Sequence, residues 1–181
     1  CVSSSTKWVP ENVPAKIAGY FVTHPTGKQL ALTMSLPQDA AALYVDSDVL
    51  FFPGAAELES LGGNTRYLAD CRLSADERLF RDEKEKAQPA NTGVLFLSEK
   101  LDWSVGVERL LALEGAPNFF TNQTVTHLVM HAHGAAPFDP RKFVLQLDDQ
   151  FVYSDKYAAP DIVLRHYVNP VRHKFWMTLR A

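Results

Sequence analysis

LYVDSDVLFF, residues 43–52, sets two acids inside a run that is otherwise apolar. Leu43, Tyr44 and Val45 on one side, and Val49, Leu50, Phe51 and Phe52 on the other, have the composition of a strand covered on both faces. Asp46 and Asp48 break that run one residue apart. An ionised carboxylate buried without a partner is strongly destabilising, so the two acids either end the strand in water or hold a cation. Both outcomes use the same residues. A solvated Asp-Ser-Asp bend is ordinary turn chemistry, while carboxylates at i and i+2 can converge on one hard divalent ion and leave positions open to phosphate oxygens.

The surrounding chain has the means to build a core around that bend. Its 181 residues suit one compact domain, and 46% of them are apolar. With 22% charged residues and a formal net charge of −3, it is not a general nucleic-acid or membrane-surface binder. An anionic ligand must therefore be met by a few placed cations or by a metal. Two cysteines, Cys1 and Cys71, are too few for a disulfide framework, and a single bridge stays open. No apolar run approaches the roughly 20 residues that span a bilayer, and the start shows no signal-peptide pattern. A soluble cytoplasmic or membrane-peripheral domain is expected. Residues 1–15 read as an irregular lead-in that begins at Cys1 without an initiator Met, as in an excerpt of a longer chain.

Outward from the acidic bend, strands alternate with helices. KIAGYFVTH (16–24) has strand-like content, and GKQLALTMSLP (27–37) reads as a short helix stopped by Pro37. PGAAELESLGG (53–63) predicts a helix with proline in its first turn and TRYLAD (65–70) a strand. SADERLFRDEKEKAQ (74–88), with Ser74 and Glu77 at capping-box spacing, predicts an exposed helix or flap. NTGVLFLS (91–98) is a buried strand, and LDWSVGVERLLALEG (101–115) and TNQTVTHLVMHAHG (121–134) are helices. KFVLQLDDQFVYS (142–154) suggests a hairpin and IVLRHY (162–167) a last strand. The expectation is a single α/β domain over 1–181 with one mixed, mainly parallel sheet flanked by helices. Ligands of such sheets sit beyond the carboxyl ends of the strands, where Asp46 and Asp48 fall. Asn91 reaches the same edge if its strand runs antiparallel.

Further signals join the acids. In LRHYVNPVRHKFW (164–176), His166 ends an apolar strand and offers an imidazole as a third ligand, or is simply a hydrogen-bonded strand-end histidine. Arg172 and Lys174, with Arg165 nearby, offer cations to a diphosphate. Asn91, Thr92 and Gly93 open a buried strand, where glycine admits a close backbone approach and asparagine can address sugar hydroxyls; the same trio is also ordinary turn chemistry. A rival pattern is His127 and His131 on one helical face with His133 nearby, the spacing of a zinc hydrolase, but no glutamate follows His127 as in H-E-x-x-H.

ALYVDSDVLFF, NTGVLFL, TNQTVTHL and HYVNPVRHKFW, in that order over residues 28–181, resemble the A-type-fold glycosyltransferases. They are most similar to the family 8-like nucleotide-sugar transferases that include glycogenin and bacterial galactosyltransferases. The resemblance implies the nucleotide-diphospho-sugar transferase fold, with its first two base-binding βα units largely missing from this sequence. It implies a manganese or magnesium ion on Asp46, Asp48 and His166, bridging the diphosphate of a donor such as a UDP-hexose. It places Asn91 and Gly93 against a sugar, Asn122 and Gln123 beside the anomeric carbon, Lys174 with Arg172 on the diphosphate, and Lys28 near the donor. The implied activity is hexosyl transfer, with retention, to a sugar, lipid or protein acceptor; the rivals are a zinc hydrolase using His127 and His131, and a non-catalytic sugar- or protein-binding relative.

Overall fold

The computed structural model describes residues 15–36 and 39–179. The lead-in before residue 15 and the stop at Pro37 lie outside the described residues. The first element is a helix, α1 (Ala15–Thr23), where a strand was expected. Its buried residues Ile17, Tyr20 and Phe21 recur at helical spacing, and that periodicity outweighs the aromatic content that suggested a strand. α2 (Pro25–Met34) follows directly, with proline in its first turn and the His24 ring accepting a bond from the Thr26 amide at 3.3 Å.

The strands form two small sheets. β1 (Ala42–Val45), β3 (Arg66–Ala69), β4 (Ala90–Leu97) and β5 (Ala136–Pro137) build a four-stranded sheet in the order β1-β4-β3-β5. β2 (Val49–Phe51), β6 (Phe143–Val144) and β7 (Leu164–His166) build a three-stranded sheet in the order β2-β7-β6. β1 and β3 both run antiparallel to β4, and β2 runs antiparallel to β7; only β3–β5 and β6–β7 are parallel. The mainly parallel single sheet is thus replaced by two mixed sheets. Parallel neighbours need a long crossover, and the connection from β1 to β2 is only the acidic bend. The chain therefore steps from one sheet to the other there. β1 is an edge strand, and the middle place belongs to β4, buried along its whole length.

Helices α3 (Ser104–Ala112) and α4 (Thr121–Ala132) form where helical spacing predicts them, and α5 (His173–Thr178) closes the described chain. α4 packs on both β4 and α3, and every residue from Thr121 to Met130 is buried. Gly134 ends it in the left-handed region at φ 65°, the backbone glycine adopts without strain. Residues 74–88 form no continuous helix. They hold two short 3-10 turns, Glu77–Leu79 and Glu83–Lys86, and Asp82 rather than Ser74 supplies a cap. Arg109 draws the segment down by a bond to the Leu79 carbonyl at 2.6 Å and a paired grip on Glu85. Residues 53–60 are likewise a 3-10 helix, and the expected hairpin at 142–154 supplies only β6. Among the described residues no helix is long and apolar enough to cross a membrane. Cys71 is exposed with a free thiol; Cys1 lies outside the described residues.

β7 carries Arg165 and His166 into the interior on opposite faces. Arg165 is fully buried and grips both oxygens of Asp149 at 2.7 and 2.9 Å, with Asp155 beside it. Lys174 joins this cluster: its Nζ lies 3.1 Å from Asp149 and donates to the carbonyls of Val152 and Ser154 at 2.8 Å each. Burial raises the Asp149 carboxyl, but its bonds to Arg165 and Lys174 outweigh that and bring it to about 2. Removing one partner of a buried pair strands the others, so Asp149→Ala should lose about 3–5 kcal/mol of stability in urea unfolding. The depressed carboxyl stabilises the fold in full above the ordinary carboxylate value, and that contribution should fade as pH falls below about 4.

Candidate metal centre

The step between the two sheets brings the acids to a histidine distant in sequence. Past the end of β1, the Asp46 amide donates to the Gly93 carbonyl at 2.8 Å, which continues the ladder beside β4. The β2–β7 register pairs Val49 with His166, and the Tyr167 amide donates to the Asp48 carbonyl at 2.9 Å. Asp48 Oδ1 thereby stands 3.0 Å from His166 Nε2, and Asp46 Oδ2 stands 3.8 Å from the same nitrogen. One ligand atom from each of the three residues lies within 4.8 Å of the others.

Each group is oriented by a neighbour. Asp46 Oδ1 accepts from the Tyr44 hydroxyl at 2.6 Å and the Gln29 amide at 3.0 Å, which leaves Oδ2 towards the histidine. Asp48 Oδ2 accepts from Arg172 at 2.7 Å, which leaves Oδ1 towards it. His166 is held from behind. The Gly93 amide can only donate, so the Asn91 atom 2.8 Å from it is the carbonyl oxygen. His166 Nδ1 lies 3.0 Å from that same oxygen, so Nδ1 carries a proton and donates it. Nε2 faces the two carboxylates and stands at hydrogen-bond distance from Asp48 Oδ1, where the ring N–H donates; a cation bound here would take the place of that proton and use the Nε2 lone pair. Two carboxylates and an imidazole nitrogen turned to one point, with the imidazole held through its other nitrogen by an amide oxygen, are a set of groups that could hold a divalent cation. The mix of two carboxylates and one imidazole fits manganese or magnesium better than a thiolate-seeking ion.

Gly93 is required by this packing. A Cβ there would lie well inside contact distance of the His166 ring and 2.9 Å from Asn91 Oδ1. Electrostatics separates the two acids. Burial pushes the Asp46 carboxyl up, more than the Tyr44 bond and the His166 charge pull it down. For Asp48 burial acts the same way, but its bonds to His166 and Arg172 prevail and hold it below the usual range.

Asp46, Asp48 and His166 line a cavity of about 390 Å³ together with Asp70, Asn122 and Gln123. Gln123 is locked in place: its amide donates to Asp70 at 2.8 Å and to the Ser74 carbonyl at 2.7 Å, and its oxygen accepts from Asn91 at 3.2 Å. Asn122 donates to Gln29 at 2.7 Å, so one chain of bonds runs from Asn122 through Gln29 to Asp46. Of the residues singled out in the sequence, the cleft gathers Asp46, Asp48, Asn91, Asn122, Gln123, His166 and Arg172, with Gly93 under the imidazole. It does not gather Lys174, whose ammonium is spent in the Asp149 cluster, or Lys28, which is exposed on α2 outside the cavity lining.

Gln29 and Asp70 were not anticipated. Asp70 follows the apolar end of β3 as Asp46 follows β1, and that repeated pattern was a usable signal; burial raises its carboxyl. Gln29 is one polar residue on a helix, and nothing in its local sequence marks it. The rival histidines are otherwise engaged. His127 Nδ1 accepts from the Ala90 amide at 3.2 Å and its Nε2 meets the Glu85 carbonyl at 2.5 Å, so both ring nitrogens are used. Among the described residues, Asp46, Asp48 and His166 are the one group of three with metal-ligand spacing.

The centre predicts one manganese ion per chain by calorimetric titration. Asn91→Leu, which removes the acceptor behind His166, should weaken that binding about 10–100-fold. Gly93→Ala, which drives the imidazole from its place, should weaken it at least as much. Compared with known proteins, the chain matches no family model and no curated sequence.

Proposed function

We propose that the chain is a metal-dependent glycosyltransferase that takes a hexose from a nucleotide sugar, UDP-hexose being the first donor to test. The observation that carries this reading is the convergence of Asp46, Asp48 and His166 on one point in the lining of a cavity, with the Arg172 guanidinium beside it. An ion there supplies Lewis-acid stabilisation of the charge that develops on a leaving diphosphate.

The protein's own groups divide the remaining work. Arg172 is about half exposed and bonded to Asp48, so it can turn its guanidinium to a phosphate that enters beside the acids. Leaving-group charge is where the transition state differs most from the bound donor, so this contact accelerates the step rather than only tightening binding. Gln123 holds Asp70 and Asn91 at fixed angles along the wall, where the hexose lies. Asn122 and Gln29 hold Asp46. Lys174, to which the sequence resemblance gave a diphosphate contact, has its place taken by Arg172 in this reading.

The test is hydrolysis of UDP-glucose and UDP-galactose, with and without manganese. Activity should vanish with a chelator and return with the ion. Asp48→Ala should abolish it, and His166→Ala should lower kcat/KM by about 100-fold or more. Arg172→Ala should lower kcat more than it raises KM for the donor. Stoichiometric manganese and sugar binding with no turnover of either donor would leave a sugar-binding relative in place of an enzyme.

A further inference from the structure

We infer that the cleft takes a pyranoside acceptor against an aromatic wall made by Phe119 and Phe120, an inference that rests on the sugar-transfer reading of the same site. Both phenyl rings line the cavity that holds the three metal-ligand candidates. They stand edge to face, with centroids 5.4 Å apart and planes at 89°, and remain 67% and 41% exposed. Two large apolar side chains left in water at the mouth of a polar cavity mark a contact surface.

The wall is built to keep its shape. Arg78 donates to the carbonyls of Glu114 and Ala116 at 3.0 and 3.1 Å, which holds the turn before the rings. The same guanidinium pairs with Asp76, which is buried and also accepts from the Thr121 hydroxyl at 2.7 Å. The Asn118 side chain accepts from the Phe120 amide at 2.8 Å, and the Asn118 amide donates to Thr121 at 2.8 Å. A rigid platform gives up little conformational freedom when a ligand settles on it.

The occupant follows from what lines the cavity with the rings. Asp70, Ser74, Asn122 and Gln123 line it too, groups whose oxygens can accept from hydroxyls. An exposed phenyl face beside polar groups matches a pyranose ring, whose C–H face is apolar and whose rim carries hydroxyls. An acyl chain would bury these polar groups further and offer no hydrogen bond in return. A charged acceptor would meet both signs, since Arg72 and Arg172 line the cavity along with the acids.

The experiment uses the full chain with magnesium and UDP present, and follows lactose, maltose and cellobiose by ligand-observed NMR. At least one disaccharide should bind, with saturation strongest on its ring C–H protons. Phe119→Ala and Phe120→Ala should each weaken that binding about tenfold. Phe51→Ala, an exposed ring on β2 outside the cavity, should not change it. Magnesium affinity of each variant shows that the centre is intact. If no disaccharide binds, or if Phe119→Ala weakens UDP and leaves the sugar untouched, the aromatic wall serves the nucleotide base and the inference is overturned. If sugar binding falls in both variants while no UDP-sugar is ever turned over, the acceptor wall stands and the transferase reading fails.

Discussion

The proton on His166 Nδ1 governs the site. It is fixed by a single amide oxygen, that of Asn91, which is itself oriented by the Gly93 amide 2.8 Å away. Everything in front of the ring follows from that bond. Nε2 is turned to the two carboxylates of the bend after β1, within hydrogen-bond reach of Asp48 Oδ1. The bond exists because β4 lies between β1 and β3 and runs antiparallel to both, so that the first residues of β4 lie beside the last residues of β1. Had the strands been parallel, Asn91 would have opened at the opposite end of the sheet from Asp46.

β7 shows how such a charged site sits in an apolar interior. Successive residues of a strand point to opposite faces, and here both are polar. Arg165 is buried with Asp149, Asp155 and Lys174, and His166 is buried with Asn91 and Asp48. The first cluster closes on itself, with cations and acids in mutual contact. The second opens on the cavity, with two carboxylates and an imidazole nitrogen turned to one point. The contrast separates a charge group that holds a loop from one that is built to receive something.

Much of the site was legible in the sequence, and less of the sheet. The acids of the bend, the strand-end histidine, Asn91 with Gly93, and the polar start of α4 each sit at the boundary of a strongly apolar or periodic segment. Such boundaries are visible without coordinates. Sheet direction was not visible, because strand content does not encode which neighbour a strand will choose, and the alternation of strands with helices suggested crossovers the chain does not make. α1 was misread because aromatic and β-branched residues favour strands while Ile17, Tyr20 and Phe21 keep helical spacing. Lys174 was misplaced because a lysine near a basic cluster reads as exposed, and only the fold reveals the buried Asp149 that claims it. Gln29 could not have been found, since its role depends entirely on what α2 packs against.

The pairing of β2 with β7 joins Asp48 to a partner 118 positions later in the chain. During synthesis the acidic bend emerges well before the imidazole, so the three groups cannot come together until β7 has docked against β2. Ion capture by this group would therefore report the docking of β7, and a chain stalled before that strand would carry the acids without the grip.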